Sequence, residues 1–223
     1  MINAVAMIVG AGPGIGGAFA SRLVARGYTV ALAARQAQRL EALAGSLNCR
    51  PYSVDVGSPA SVADLFAAVE RDLGTPEVVL FNAAARFPGA ITDLGPEIIA
   101  HSLQVNALEA FAVAQEAARR LLPLGRGAIF FTGATASVNG FAESGAFAMG
   151  KFALRGLAQS LAKELAPSGI HVAHFVIDGV VASAGEPGDF TPENIAGSYL
   201  AVLDQPPGAW SWEIELRSYV ERF

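Results

Sequence analysis

The chain has 223 residues, 52% of them hydrophobic and only 16% charged, against nearer 25% charged in an ordinary soluble domain. That balance excludes a disordered chain, a coiled coil and a polybasic nucleic-acid arm. A net charge of −5 and a pI of about 5.2 give no electrostatic case for binding DNA or an acidic membrane surface. Mean hydropathy is +0.41, yet no window of 18 apolar residues escapes a charge or a glycine–proline run, so no membrane-spanning helix is expected.

The elements alternate along the chain. Strands are predicted at Ala4–Val9, Thr29–Ala33, Arg50–Val54, Val78–Phe81, Ala128–Thr132, His171–Ile177 and Trp212–Leu216. Most are apolar throughout, the pattern of strands covered on both faces of a parallel sheet. Helices are predicted between them, at Ile15–Arg26, Gln36–Ser46, Ser61–Leu73, Glu97–Leu122, Ala146–Leu165 and Pro192–Leu203. Pro59 and Pro192 suit first helical turns, and Gly27 and Gly74 suit helix ends. The fold class is therefore α/β: a single Rossmann-type, doubly wound parallel sheet of about seven strands flanked by helices, in one domain over residues 1–223. Met1 to Gly10 carries no basic leader or cleavage site and reads as the first strand rather than a signal peptide, which places the protein in the cytoplasm. The lone Cys49 excludes an internal disulfide and a multi-cysteine metal site, and it reads as a buried small hydrophobe.

The chemistry begins directly after the first strand, at Gly10-Ala11-Gly12-Pro13-Gly14-Ile15-Gly16. A strand, a glycine-rich turn and a helix start direct backbone N–H groups at an anion, and the glycines let the backbone approach a pyrophosphate. The spacing is Gly-x3-Gly-x-Gly; the commoner Gly-x-Gly-x2-Gly would need glycine where Ile15 stands. The second strand ends in Ala33-Ala34-Arg35, with no carboxylate to hold a ribose 2′-hydroxyl. Arg35 instead suits a 2′-phosphate, favouring NADP(H) over NAD(H), although it could also stack on adenine or solvate the helix start. Asp55 could accept from the adenine amino group or cap the helix near Ser58–Ala60.

Taken in order, these residues resemble the short-chain dehydrogenase/reductase family over about Val5 to Ser183. Gly10, Gly14 and Gly16 match the cofactor turn, with Gly12 and Ile15 inside it, and Asp55-Val56 matches the adenine contact. Phe81-Asn82-Ala83-Ala84 stands where the family has Asn-Asn-Ala-Gly. Val105-Asn106 matches the asparagine of the long fourth helix, and Lys151 matches the lysine of Tyr-x3-Lys. Asp178-Gly179 and Ser183 stand where Pro-Gly and a threonine usually lie. The resemblance implies that Asn106 holds a water relay and that Lys151 binds the nicotinamide ribose and lowers the pKa of the tyrosine. It also implies that a serine polarises the carbonyl while the tyrosine gives the proton. A small-molecule carbonyl or alcohol substrate follows, with a homodimer or homotetramer built on the last strand and the fourth and fifth helices.

Two of the four expected catalytic residues are absent. Four residues before Lys151 stands Phe147, and thirteen before that stands Ala134. Phenylalanine has no proton to give; general acid catalysis is worth about 10² to 10⁴ in rate, and a carbonyl-polarising donor a further 10² to 10³ or so. Thr135 and Ser137 flank Ala134, Ser144 lies seven residues before Lys151, and Tyr199 is the best placed of four tyrosines. The segment Ser183–Thr191 reads as a short, turn-rich lid. His171 and His174, three apart on a strand, should point to opposite faces, and no metal site is expected. The sequence supports an atypical NADP(H)-dependent oxidoreductase with a displaced or absent proton donor, or alternatively a catalytically degenerate NADP(H)-binding sensor or partner subunit.

Overall fold

The structure, a computed structural model, describes residues 4–182 and 190–219. Its seven strands are β1 (Val5–Val9), β2 (Thr29–Ala34), β3 (Arg50–Ser53), β4 (Pro76–Phe81), β5 (Gly127–Thr132), β6 (Ile170–Asp178) and β7 (Glu213–Arg217). They form one sheet in the order β3-β2-β1-β4-β5-β6-β7, every neighbouring pair parallel. The order reverses between β1 and β4. There the connections leave toward opposite faces and open a crevice outside the carboxyl ends of the strands, where open α/β sheets bind ligands.

The unbroken apolar runs of the strands are explained by two cores. Along β1, Val5, Met7 and Val9 face one cluster while Ala6 and Ile8 face the other. The first cluster is covered by α3 (Pro59–Asp72), α5 (Glu109–Leu121) and α6 (Gly145–Leu165). The second is covered by α1 (Ile15–Ala25), α2 (Glu41–Leu47) and α7 (Pro192–Leu203). In the second core Phe130, Phe175, Phe19 and Tyr199 are buried ring against ring, with Phe175 and Tyr199 stacked at 3.8 Å between centroids. Burial of each such side chain stabilises the fold by about 1.5–3 kcal/mol.

Helix starts follow the local chemistry. Ser58 and Thr191 cap α3 and α7 by accepting from Ser61 N and Asn194 N, with proline in the first turn of each. Ser58 rather than Asp55 is thus the cap, and α3 starts at Pro59, two residues before the expected Ser61. The expected second helix opens as a 3₁₀ turn over Ala37–Leu40 before α2. The expected helix over 97–122 is not continuous. It comprises α4 (Pro96–Leu103), a π turn (Gln104–Leu108) and α5. The π turn lies where α4 approaches α6 so closely that a methyl on Gly150 would come within 2.8 Å of Asn106 Cβ and 3.0 Å of Ser102 O.

At the sheet edge, Ile214 and Leu216 of β7 pack on the second core as alternation requires. Trp212 lies before the strand, its ring 5.7 Å from the Arg155 guanidinium. Glu213, between Trp212 and Ile214 on the other face, takes a bidentate pair from Arg155 at 2.6 and 2.7 Å and a hydrogen bond from His174 Nδ1 at 3.1 Å. His171 lies on the opposite face, stacked on Trp210. Cys49 is half-buried rather than buried, its thiol pushed up to about 11 by desolvation.

Burial lowers the His174 pKa to about 4 from its ordinary 6.5, against the opposing pull of Glu213. The folded-state value lies below the unfolded one, so this contribution to stability is full above pH 6.5 and is lost as pH falls toward 4. A histidine NMR titration should therefore find the His174 ring neutral at pH 5; a midpoint above 6 would contradict this packing.

Candidate functional site

The turn between β1 and α1 is built at the reversal point. Gly10 has φ of 81°, and a methyl there would lie 2.4 Å from Ala83 N, so only glycine lets this turn meet the strand β4 exit. Asn82 Nδ2 donates to Gly10 O at 3.0 Å and fixes the approach. Gly12 and Gly14, by contrast, face open space. Gly14 precedes α1 without a side-chain cap, so the N–H groups of the first turn of α1 have no partner from a capping side chain. Open space over uncapped N–H groups at the positive end of an eleven-residue helix suits the pyrophosphate of a dinucleotide.

Two cavities flank this turn. One, of about 680 Å³, is lined by Ala11, Gly12 and Pro13 together with Arg35 and Arg39. The other, of about 640 Å³, shares Ala11, Ala34 and Arg35 with the first and runs past Asp55, Val56, Asn82 and Ala83 to Gln104 and Glu109. Asp55 Oδ1 accepts from Gly57 N at 3.1 Å, folding the turn that puts its carboxylate at the cavity wall. Sequence reasoning missed Arg39 and Glu109. Arg39 was legible as a second cation one helical turn after Arg35. Glu109, three residues after Asn106, offered no local signal, because its environment is made by β2 and the segment after β3.

A third cavity, of about 550 Å³, lies beyond the ends of β5 and β6 and is lined by Ala134, Thr135, Asn139, Phe141, Ser144 and Phe147, with Ile177, Asp178, Gly179, Val180, Arg86 and Arg217. Lys151 stands behind Phe147: Nζ is 5.7 Å from the ring centroid and donates to Thr132 O at 2.9 Å. The lysine is 2% exposed, and desolvation lowers its pKa to about 8. Asn106 sits in the π turn, fully buried, and Nδ2 donates to Ala85 O at 2.8 Å and Ser102 O at 3.0 Å. It thereby ties the segment after β4 to α4. A π turn within a helix is often found at functional sites.

The substitute hydroxyls are not equivalent. Thr135 lines the cavity and makes one long bond, to Ile177 O at 3.4 Å. Ser144 lines it too, with its hydroxyl donating to Phe141 O at 2.9 Å. Ser137 is fully buried and accepts from Ala134 N at 3.1 Å. Tyr199 is a correction to expectation: it is fully buried in the second core, its hydroxyl donates to Thr132 Oγ1 at 3.0 Å, and desolvation raises its pKa. It therefore has no face on the cavity. Asp178 is ion-paired with Arg217, and Gly179 has φ of 144°. Ser183 lies outside the described residues, as does most of the short-lid segment. Among the described residues no group of three or more His, Cys, Asp or Glu could hold a metal ion, and no helix is long and apolar enough to cross a membrane.

A family model described as short chain dehydrogenase matches residues 4–187. An uncharacterized oxidoreductase of Caenorhabditis elegans is 34% identical over 178 residues, which are 74% of this chain and 56% of that protein. A crystal structure of a short-chain dehydrogenase from Rhodopseudomonas palustris is 34% identical and covers 98% of this chain and 100% of its own, with a TM-score of 0.88. An alcohol dehydrogenase from Thermococcus sibiricus complexed with 5-hydroxy-NADP is 25% identical, covers 98% of both chains and has a TM-score of 0.85. The strand–glycine turn–helix site, the parallel seven-stranded sheet and the family match agree: the chain belongs to the short-chain dehydrogenase family of oxidoreductases.

Proposed function

We propose that the chain is an NADP(H)-dependent oxidoreductase acting on a carbonyl or alcohol, with its proton transfer routed around a missing tyrosine. The observation that carries the cofactor choice is the pair Arg35 and Arg39 in one cavity against the glycine turn, with alanine rather than a carboxylate at the end of β2. Both guanidiniums are exposed and make no hydrogen bond among the described residues, which suits a 2′-phosphate. The Thermococcus sibiricus relative, complexed with an NADP derivative, supports the same reading. Gly12, Gly14, Ile15 and Gly16 would hold the pyrophosphate, Asp55 and Val56 the adenine, Asn82 and Ala83 the segment between, and Lys151 the nicotinamide ribose, with Asp178 and Gly179 beside the nicotinamide. When bound, the nicotinamide supplies hydride transfer. Isothermal titration should give a dissociation constant for NADPH about tenfold or more below that for NADH. The Arg35→Ala, Arg39→Ala double variant should lose the preference, and equal affinities in the unaltered protein would sink the NADP reading.

At the reacting end, Phe147 and Ala134 leave Thr135 as the hydroxyl least committed to the protein. In carbonyl reduction Thr135, recharged by cavity water, would give the substrate oxygen its proton, or water would do so directly. Lys151, held behind Phe147 with a pKa of about 8, supplies positive charge to that region. NADPH oxidation should be slow but measurable on some member of a panel of aldehydes, ketones, quinones and activated alkenes. Thr135→Val should cut it about tenfold or more, and Phe147→Tyr with Ala134→Ser should raise carbonyl reduction by about 10².

The same two apolar residues favour a second reading: a cofactor-binding sensor or partner subunit without chemistry. Tight NADPH binding, no turnover on the panel and no gain from the double substitution would decide for it. Under either reading a second copy of the chain is the expected partner. Leu108 at the end of the π turn, Phe111 in the first turn of α5, and Met149 and Phe152 on α6 are exposed apolar side chains that such a copy would cover. Light scattering should find a dimer or tetramer; a monomer at micromolar concentration would contradict this.

A further inference from the structure

The cavity beside the glycine turn holds a group that the cofactor reading leaves unused. Glu109, at the start of α5, is 7% exposed, lines that cavity and makes no hydrogen bond among the described residues. The side chain is packed among buried neighbours while its carboxyl opens on the cavity, so it faces the space left for a ligand rather than a protein partner. Its near neighbour is the Asp55 carboxylate. A methyl on Gly57 would stand 3.2 Å from Asp55 Oδ1 and 3.6 Å from Glu109 Oε1, so these two oxygens lie within about 7 Å of each other. Arg35 approaches from the end of β2, and His101 lines the same cavity from α4.

We propose that Glu109 is a second base-recognising residue, which donates a hydrogen bond from its protonated carboxyl to a ring nitrogen of adenine while Asp55 accepts from the exocyclic amine. The inference rests on the dinucleotide reading above. Adenine presents a donor and an acceptor side by side, the amino group next to a ring nitrogen. A protonated carboxyl to donate to the ring nitrogen and a second carboxyl to accept from the amine match that edge, whereas two carboxylates leave the ring nitrogen without a donor. Hypoxanthine, with a carbonyl in place of the amine, would meet Asp55 with its own acceptor. The protonation state is consistent with the surroundings. Desolvation first, and then the Asp55 charge, push Glu109 up to about 7, with Arg35 opposing.

The test is binding of NADH, which lacks the separately titrating 2′-phosphate, from pH 6 to pH 8. If only the protonated form binds well, affinity should fall about tenfold across that range, in proportion to the protonated fraction. Glu109→Gln keeps a donor and cannot ionise, so its affinity should stay within about twofold of the pH 6 value, the remainder of the slope being that of Lys151 as it nears its pKa of about 8. His101→Gln should keep the slope, and nicotinamide hypoxanthine dinucleotide should bind about tenfold or more weaker than NADH at pH 6. A flat profile in the unaltered protein, or a slope of about tenfold that survives in Glu109→Gln, overturns the role of Glu109 while leaving the dinucleotide site standing. Failure of both NADH and NADPH to bind at any pH overturns both.

Discussion

The structure depends on one hydrogen-bonded node at the point where the strand order reverses. Asn82 donates to Gly10 O and accepts from the Thr132 hydroxyl at 2.8 Å. Thr132 in turn receives the Tyr199 hydroxyl on its side chain and the Lys151 ammonium on its carbonyl. Beyond the ends of β1, β4 and β5 the sheet ladder no longer satisfies the backbone, so side chains must do so. This chain of donors fixes the glycine turn, β4, β5, α6 and α7 against one another. A partly buried network in which each member has its partner specifies one arrangement more sharply than apolar packing alone.

The node also explains how the polar scarcity of the sequence reaches the site without loosening it. Tyr199 has the phenol that the cavity lacks, but it is committed to Thr132 from the far core. Lys151 retains a carbonyl partner and the face of an aromatic ring in Phe147. A phenylalanine there keeps the π surface of a tyrosine and drops only the hydroxyl. The surroundings of the lysine are thus maintained while the hydroxyl is absent.

Much of this was legible in the sequence. The apolar runs gave the central parallel strands, because strands covered on both faces have no polar alternation to lose, whereas the edge strands β3 and β7 carry polar residues. The glycine turn was legible because its chemistry is local: a strand end, φ above zero at Gly10 and a helix start. What escaped is what distant segments create. The π turn at Asn106 needs the contact with Gly150 of α6, 44 residues on, and no local propensity encodes it. Glu213 reads as the wet face of an edge strand until Arg155 and His174 arrive from α6 and β6. Tyr199 could be assigned to the cavity or the core only once the face that α7 turns to the sheet was known. The high apolar content of the chain goes into two cores, one on each side of the sheet, and part of it is exposed, at Leu108, Phe111, Met149 and Phe152 among other residues.

The central claim is that the node holds a complete dinucleotide site whose reacting end lacks the usual proton donor. A crystal structure with NADPH bound tests it most directly. The account predicts the 2′-phosphate between Arg35 and Arg39, the adenine at Asp55 and Glu109, and the nicotinamide ribose on Lys151, with Thr135 the nearest protein hydroxyl to the place of a substrate oxygen. A nucleotide seated elsewhere, or a tyrosine hydroxyl at that place, would contradict it.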